Sequence, residues 1–261
     1  MRLCACSGRR HKMIKAVIFD LDGVLVQTEK MKARSYALAV QRLLGLPQPA
    51  AEAGEAYREA VGAPREVAVS HVMDKLGLEK VLKPLMGRYG ASKPWEVLNS
   101  MRMSIYTDMV ADPQVLRDNQ WPHSLEVLRA VEEVGCLTAL VTMSQRKDVL
   151  HVVHSLGIEK LLGMILAGED VTRGKPDPEV YLLAARKLGV SPGESLVLED
   201  TVNGVRAAVA AGMNVVALTT PFTAAALHSS PMVDDAWIVD DFAKLGKIVQ
   251  HRIRELNRTA R

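Results

Sequence analysis

Residues Val17–Leu25 have the sequence VIFDLDGVL, in which a short apolar run ends in two carboxylates one residue apart. Such a run, bounded by turn residues, is typical of a buried strand. Side chains alternate between the two faces of a strand, so Asp20 and Asp22 share a face. Two carboxylates this close repel each other unless a cation or a shared proton compensates. A surface turn is the alternative, because Asp and Gly are common turn residues.

The composition indicates an aliphatic core and a nearly neutral body. Of the 261 residues, 48% are hydrophobic but only 4% are aromatic, so Leu, Val, Ala and Met must supply most of the core. The formal net charge is +3, and four basic residues without any acid lie in residues 1–12, which leaves −1 for residues 13–261. This body lacks the general basic signature of a nucleic-acid-binding protein.

Residues 1–12 are interpreted as a disordered extension, because Met13-Ile14-Lys15 resembles a natural chain start just before the first strand. A fragment of a targeting peptide is the alternative, but the segment lacks a long apolar region. The three cysteines do not form a disulfide framework, which fits a reducing compartment. No apolar run has transmembrane length. We therefore expect a cytoplasmic monomer or homodimer without membrane or nucleic-acid partners.

Between Thr28 and Val110 the apolar residues recur with the period of a helix. Five amphipathic helices are predicted, with apolar stripes in residues 36–44, 53–61, 69–76, 78–89 and 97–105. Gly45 and Gly77 end the first and the third of these stripes. Helices joined by short links with no strand between them pack as a bundle. The sequence thus predicts a helical domain over residues 28–110.

From Asp112 onward, strand and helix patterns alternate. Strands are predicted at 136–141, 162–166, 196–198, 215–218 and 237–239, and helices at 122–134, 147–156, 178–188, 204–211 and 242–256. This alternation predicts an α/β fold with a mostly parallel sheet and helices on both faces. The first strand belongs to the same sheet. Residues 13–27 and 111–261 are therefore predicted to form the core, with residues 28–110 inserted after the first strand.

Residues suited to phosphate chemistry collect where the predicted sheet strands end. They are Asp20, Asp22, Thr142, Ser144, Lys175, Glu199 and Asp200. Carboxylate oxygens suit Mg²⁺ accompanied by waters and a substrate phosphate, and a carboxylate can attack phosphorus to form an aspartyl-phosphate. Taken alone, Glu199 and Asp200 could instead be acids favoured at a helix N-terminus. Lys175 alone could be a solvated loop residue.

With these motifs in order, the sequence resembles the haloacid dehalogenase superfamily of hydrolases. The resemblance is to the subfamily that contains β-phosphoglucomutase and phosphoglycolate phosphatase, and it extends from Met13 to about Asp240. It rests on the segments DLDG at residues 20–23, TMS at 142–144, GKPDP at 174–178 and ED at 199–200. The resemblance implies a Rossmann-like core with a helical cap inserted after the first motif.

The resemblance also implies roles for the matching residues. Asp20 is expected to be the nucleophile, and Asp22 the general acid and then the general base. Thr142 is expected to hydrogen-bond the phosphoryl group, and Lys175 to pair with Asp20 and the phosphoryl oxygens. The implied Mg²⁺ ligands are Asp20, Asp22, Glu199 and Asp200. The implied substrate-binding residues are Thr142, Ser144, Lys175, Arg65, Thr28 and Lys32.

Two cap positions bear on the type of reaction. Lys32 stands where the resembled mutase has a histidine, which weakens a mutase interpretation, although Thr28 nearby is retained. The segment around Arg65 resembles the cap segment whose arginine meets the far end of the substrate in the mutase. The alternative for Arg65 is a solvated arginine paired with Glu66, as is common for surface charges.

The predicted function is a Mg²⁺-dependent phosphatase that hydrolyses a small phosphorylated metabolite through an aspartyl-phosphate. A sugar phosphate or phosphoglycolate is the expected type of substrate. A β-phosphoglucomutase-like mutase is the enzymatic alternative, and a catalytically idle regulatory binding protein is the other. An idle member is expected to have lost Asp20, Asp22, Lys175 or Asp200, and all four are present. Dehalogenation is disfavoured, because dehalogenating members lack the Asp-x-Asp-Gly form.

Overall fold

The chain divides into two compact units in the computed structural model, which describes residues 13–230 and 232–259. Unit 1 comprises the described residues up to Val26 and those from Gln120 onward, and unit 2 is Gln27–Asn119. Unit 2 is thus an insertion after the first strand. The interpretation of residues 1–12 as a disordered extension lies outside the described residues.

Unit 2 is helical, and its helices follow the predicted apolar stripes. They are α1 (Thr28–Leu44), α2 (Ala51–Glu59), α3 (Arg65–Lys75), α4 (Glu79–Leu82), α5 (Met86–Tyr89), α6 (Pro94–Val110) and α7 (Pro113–Asp118). The apolar faces of α1 to α6 meet in one cluster, in which the rings of Tyr36 and Tyr57 stack with centroids 4.9 Å apart. The unit ends at Asn119 and not at residue 110, because α7 packs on α6.

One predicted helix of unit 2 is wrong as a continuous element. The stripe over residues 78–89 forms α4, a 3₁₀ turn at Lys83–Leu85 and α5 in succession. Pro84 lies within the 3₁₀ turn. Proline has no backbone N–H to donate, and its ring crowds the preceding turn of an α-helix. The apolar period survives this change of helix type, so periodicity alone did not reveal the break.

Unit 1 contains, within its described residues, six strands in one parallel sheet. They are β1 (Ala16–Phe19), β2 (Leu137–Val141), β3 (Met164–Leu166), β4 (Ser195–Glu199), β5 (Asn214–Leu218) and β6 (Ile238–Val239). The strand order is β3-β2-β1-β4-β5-β6, with Ile18 opposite both Ala139 and Val197. The order reverses between β1 and β4, and in such sheets ligands bind beyond the carboxyl ends of the strands at the reversal.

Helices cover both faces of this sheet, as the predicted α/β fold requires. They are α8 (Pro122–Glu133), α9 (Arg146–Leu156), α10 (Glu179–Leu188), α11 (Val202–Ala210), α12 (Ala224–His228) and α13 (Leu245–Thr259). All four residues of β1 have 0% exposure, so both of its faces lie in the core. Each large apolar side chain buried in this way contributes roughly 1.5–3 kcal/mol. The rigid centre of the sheet therefore carries the first motif.

The predicted fold class, a Rossmann-like parallel sheet with an inserted helical cap, is confirmed by this architecture. Among the described residues, no helix combines the length and apolar composition that crossing a membrane demands.

Candidate active site

The predicted catalytic residues of unit 1 lie where the strand order reverses. Asp20 directly follows β1, and its N–H donates to the Leu198 carbonyl on β4 at 3.0 Å. Thr142 directly follows β2, on the other side of β1. Glu199 is the last residue of β4, and Asp200 comes next. The sheet thus brings together residues that are far apart in the sequence.

Lys175 is buried at this site and is held by three acceptors. Its Nζ lies 2.7 Å from Asp20 Oδ1, 2.5 Å from Glu199 Oε1 and 3.3 Å from the Val141 carbonyl oxygen. An ammonium group has three donors, so this set uses all of them. Lys175 is therefore not a solvated loop residue, and its predicted pairing with Asp20 is present in the structure.

Glu199 is held in place by hydrogen bonds to both carboxylate oxygens. Oε1 accepts from Lys175 and, at 3.0 Å, from the hydroxyl of Tyr181. Oε2 accepts from the N–H groups of Asp200 and Thr201 at 2.9 and 3.1 Å, and from the Thr201 hydroxyl at 3.2 Å. The sequence analysis missed Tyr181, because a tyrosine in the apolar stripe of a helix gives no signal beyond burial.

The charges at this site shift several pKa values. Burial raises the pKa of Asp20 from 3.8 to about 8, opposed by Lys175 and reinforced by the charges of Glu199 and Asp22. Burial alone would lower the pKa of Lys175, but Asp20 and Glu199 raise it well above its usual value. Lys175 is therefore a permanent cation. Burial, followed by the charge of Glu199, raises the pKa of Tyr181, so its hydroxyl remains a donor.

Asp22 is the third residue after β1 and is linked to the loop after β2. The Ser144 hydroxyl donates to Asp22 Oδ2 at 2.6 Å. The Ser144 N–H donates to Thr142 Oγ1 at 3.1 Å. This bond uses Thr142 Oγ1 as an acceptor, so the Thr142 hydroxyl proton can still be donated to a ligand. The predicted residues Asp22, Thr142 and Ser144 are thus brought together.

The predicted cap residues Thr28, Lys32 and Arg65 lie within unit 2. Arg102 is a further cation whose charge, like those of Lys32 and Arg65, acts on Tyr36. Thr28 begins α1, and Lys32 is on the same helix. Arg65 begins α3, while its suggested partner Glu66 pairs with Lys93 at 2.9 Å. Burial raises the pKa of Tyr36, and the charges of Arg102, Lys32 and Arg65 oppose this shift. We call Lys32, Arg65 and Arg102 the cationic cluster.

Arg102 is the buried member of the cationic cluster. Its side chain is 6% exposed, and its guanidinium carbon lies 5.0 Å from the centroid of the Tyr36 ring. Within residues 13–230 and 232–259, no acidic side chain forms an ion pair with Arg102. The sequence analysis did not single out Arg102. A charged residue on the apolar face of α6, four residues after Leu98, was the available signal.

The oxygen donors at the strand ends have the chemistry that Mg²⁺ prefers. Asp20 comes directly after β1 and Asp200 directly after β4, so two carboxylates lie at the ends of neighbouring strands. In the part of the chain that the structure describes, no three His, Cys, Asp or Glu side chains form a group that could hold a metal alone. Carboxylate oxygens are the donors that Mg²⁺ takes, usually one or two of them together with waters and substrate phosphate.

Comparison with known families agrees with this site. Residues 14–212 match the family model for haloacid dehalogenase-like hydrolases. The chain therefore belongs to the haloacid dehalogenase-like hydrolase family, which confirms the resemblance seen in the sequence motifs.

Individual relatives narrow the class of enzyme. A phosphorylated carbohydrates phosphatase of Thermotoga maritima is 28% identical over 200 residues, covering 77% of this chain and 82% of the relative. A phosphoglycolate phosphatase of Salmonella typhi is 30% identical over 213 residues, covering 79% and 81%. The solved structure of a predicted phosphoglycolate phosphatase from Haemophilus somnus 129PT has a TM-score of 0.68, 25% identity and coverage of 91% and 98%. The protein is accordingly a phosphoric monoester hydrolase.

Proposed function

We propose that this protein is a Mg²⁺-dependent phosphatase of a small phosphorylated metabolite and that Asp20 forms an aspartyl-phosphate intermediate. The observation that carries the proposal is the buried contact of 2.7 Å between Asp20 Oδ1 and Lys175 Nζ, where the strand order of the sheet reverses. A buried carboxylate favours the neutral form unless a cation stabilises its charge. Lys175 lowers the pKa of Asp20 against the effect of burial, so it favours the ionised form that acts as a nucleophile, and a bound metal ion would favour that form further.

The proposed reaction proceeds in two steps, which the residues of unit 1 divide between them. A carboxylate oxygen of Asp20 attacks phosphorus while the bond to the leaving oxygen breaks, and Asp22 donates a proton to that oxygen. Asp22, now ionised, takes a proton from water while the water oxygen attacks phosphorus. This second attack releases inorganic phosphate and restores the Asp20 carboxylate. Thr142 donates its hydroxyl proton to a phosphoryl oxygen, and Lys175 balances the charge of Asp20.

Asp20, Asp200 and the backbone carbonyl of Asp22 would hold Mg²⁺ in this proposal. The ion supplies positive charge that offsets the charge of the phosphoryl group. Glu199 stays a predicted ligand, and its five hydrogen bonds support a second role, which is to fix Lys175 beside Asp20. Burial beside other carboxylates makes Asp20 costly to ionise without such a cation.

The names of the relatives support a phosphorylated carbohydrate or phosphoglycolate as the type of substrate. The cationic cluster of unit 2 supports a substrate with a second anionic group. Three cysteines without a disulfide framework support a cytoplasmic location.

Phosphate release from a panel of sugar phosphates and phosphoglycolate tests this proposal. We expect turnover with Mg²⁺, loss of turnover with excess EDTA and recovery when Mg²⁺ is restored. Ca²⁺ should support little turnover, because it prefers more ligands at longer distances. Asp20→Asn should be inactive throughout the panel, since an amide is a poor nucleophile. Full turnover in excess EDTA, or by Asp20→Asn, would refute the proposal.

A further inference from the structure

Ser144 has its backbone and side chain fixed by three hydrogen bonds to different parts of unit 1. Its N–H donates to Thr142 Oγ1 at 3.1 Å, and its carbonyl accepts from the Gly168 N–H at 3.0 Å. Its hydroxyl donates to Asp22 Oδ2 at 2.6 Å. Hydrogen bonds from a hydroxyl to an ionised carboxylate are short and about twice as strong as neutral ones.

The loop that carries Ser144 packs against the segment that follows β3. A side chain at Gly168 would place its Cβ 2.9 Å from the Met143 carbonyl oxygen, so the two backbones approach closely. The N–H of Arg146 donates to both carboxylate oxygens of Glu169 at 3.1 and 3.0 Å. These contacts fix the loop on both sides of Ser144. The hydroxyl is therefore presented to Asp22 from a rigid support.

This geometry argues against direct binding of the phosphoryl group by the Ser144 hydroxyl. A serine hydroxyl has one proton to donate, and in this arrangement Asp22 Oδ2 receives it. A phosphoryl oxygen is also an acceptor, so it would have to compete with Asp22 for that proton. The Ser144 hydroxyl therefore holds one oxygen of the carboxyl group that is proposed to exchange a proton with the leaving group.

We propose that Ser144 is a positioning residue that acts through Asp22. Its hydroxyl restricts the rotation of the Asp22 carboxyl group, so that the group keeps one orientation toward the leaving oxygen. The carboxyl proton of Asp22 passes to that oxygen as its bond to phosphorus breaks, while Oδ2 keeps the hydrogen bond from Ser144. This inference rests on the proposed role of Asp22 as general acid and adds the residue that orients it.

A series of aryl phosphates tests the inference, because the need for a general acid depends on the leaving group. p-Nitrophenolate leaves readily without a proton, whereas phenolate is a poorer leaving group. We expect Ser144→Ala to lower kcat/KM for phenyl phosphate about ten-fold, a fraction of what general acid catalysis supplies, and for p-nitrophenyl phosphate less than about two-fold. KM should stay unchanged. Ser144→Thr keeps a hydroxyl and should recover most of the loss.

Two further variants separate the possible outcomes. Ser229→Ala is the matched control, because Ser229 is exposed and its hydroxyl bonds only a backbone carbonyl, at 3.1 Å. The double variant Ser144→Ala/Asp22→Asn should lose no more activity than Asp22→Asn, since both changes remove one function. Equal losses on both substrates, or a raised KM, would overturn the inference and assign Ser144 to substrate binding.

Failure of the proposed function gives a different result from failure of this inference. If Asp22→Asn loses activity equally on both substrates, Asp22 is not the general acid, and the proposed role falls together with the inference. If Asp22→Asn shows the selective loss and Ser144→Ala does not, only the positioning role of Ser144 is overturned.

Discussion

At the scale of single residues, Asp20 is buried beside two like charges, those of Glu199 and Asp22. Its pKa is raised from 3.8 to about 8, first by burial and then by Glu199 and Asp22, against the opposing charge of Lys175. The folded protein therefore holds a proton at Asp20 at pH values where the unfolded chain has released it. We predict that the metal-free protein loses stability as the pH rises from about 4 to about 8.

Asp20→Asn removes this titrating group, so the variant should show a flatter dependence of stability on pH. Above about pH 8, the variant should also be more stable than the wild type when EDTA is present. Thermal unfolding followed by circular dichroism at several pH values measures both effects. Asp74→Asn, at an exposed position on α3, is the control for the substitution itself. A pH dependence as steep in Asp20→Asn as in the wild type would assign the titration to another group.

Lys175 offers a second prediction, because it is the cation between Asp20 and Glu199. Lys175→Met keeps much of the side-chain volume but leaves Glu199 and Asp20, which are both buried, without the cation that contacts them. Breaking a buried ion pair in this way costs about 3–5 kcal/mol, so we expect the free energy of unfolding to fall by that order and turnover to be lost. Urea denaturation measures the change. Lys187→Met, at an exposed position on α10, should have little effect, and a stable, active Lys175→Met would contradict our assignment.

At the scale of elements, the first turn of α11 is matched to the carboxylate of Glu199. A Cβ at Gly204 would lie 1.9 Å from Glu199 Cδ, whose oxygens are held by five hydrogen bonds. Gly204→Ala should therefore displace Glu199 or the helix and destabilise the protein by about 1–3 kcal/mol, as overpacking does. We expect lower activity as well, because Lys175 shares the displaced carboxylate.

Gly246→Ala on α13 is a matched control for Gly204→Ala with the opposite expected sign. A Cβ at Gly246 would meet no atom within 4 Å. Gly246 lies in the first turn of α13, where alanine restricts the unfolded chain more than glycine does, so this variant should unfold at a slightly higher urea concentration. Similar behaviour of the two variants would show that the contact between Gly204 and Glu199 does not govern the outcome.

The sequence predicted the elements whose signal is local. Gly45 and Gly77 were expected to end the first and the third helical stripes, and both have the positive φ of the left-handed conformation there, 63° and 61°. The break at Pro84 and the short helices α7 and α12 were not predicted, because segments of four to six residues carry too few apolar positions to show a period. The local sequence pattern therefore predicts the long helices and strands, whereas the short ones depend on tertiary contacts that the pattern does not show.

The site was predictable in its residue types and not in its contacts. The carboxylates, Lys175 and Thr142 follow strands and could be placed at one edge of a parallel sheet. The bond between Ser144 and Asp22 joins residues 122 positions apart, and that between Lys175 and Asp20 joins residues 155 apart. No local pattern encodes which oxygen a donor meets over such separations. Tyr181 was missed for the same reason.

Helix α6 carries a prediction about substrate choice. Arg102 is buried against Tyr36 without an acidic partner in the described residues, so a change to methionine should preserve the fold. If the cationic cluster binds a second anionic group of the substrate, Arg102→Met and Arg65→Ala should each lower kcat/KM for such a substrate about ten- to a hundred-fold, as expected for lost charged hydrogen bonds. Hydrolysis of p-nitrophenyl phosphate, which has no second anion, should change little.

Comparison of the two substrates distinguishes substrate binding from a structural role. Equal losses on p-nitrophenyl phosphate and the doubly anionic substrate would indicate that Arg102 serves the fold of unit 2. Arg88→Met, at an exposed position on α5, is the control for the removal of an arginine. No loss on either substrate would leave the cationic cluster without a role in catalysis.

In the whole molecule, the residues proposed for catalysis and those proposed for substrate choice lie in different units. The proposed catalytic residues Asp20, Asp22, Thr142 and Lys175 belong to unit 1, and the cationic cluster belongs to unit 2. The type of reaction, however, depends on the fate of the aspartyl-phosphate, which only the complete protein can determine.

Phosphatase and mutase activity differ in whether water or a sugar phosphate accepts the phosphoryl group. A mutase must keep water from the aspartyl-phosphate until a sugar phosphate accepts the phosphoryl group, whereas a phosphatase admits water. Lys32 occupies the position where the resembled mutase has a histidine, and the relatives described above are named phosphatases. We expect the full chain, given β-glucose 1-phosphate with a trace of glucose 1,6-bisphosphate and Mg²⁺, to release inorganic phosphate with little glucose 6-phosphate. Both products are measured in the same reaction, with Asp20→Asn as the inactive control. Rapid formation of glucose 6-phosphate with little free phosphate would reverse the assignment, because it would show that the intermediate is protected from water.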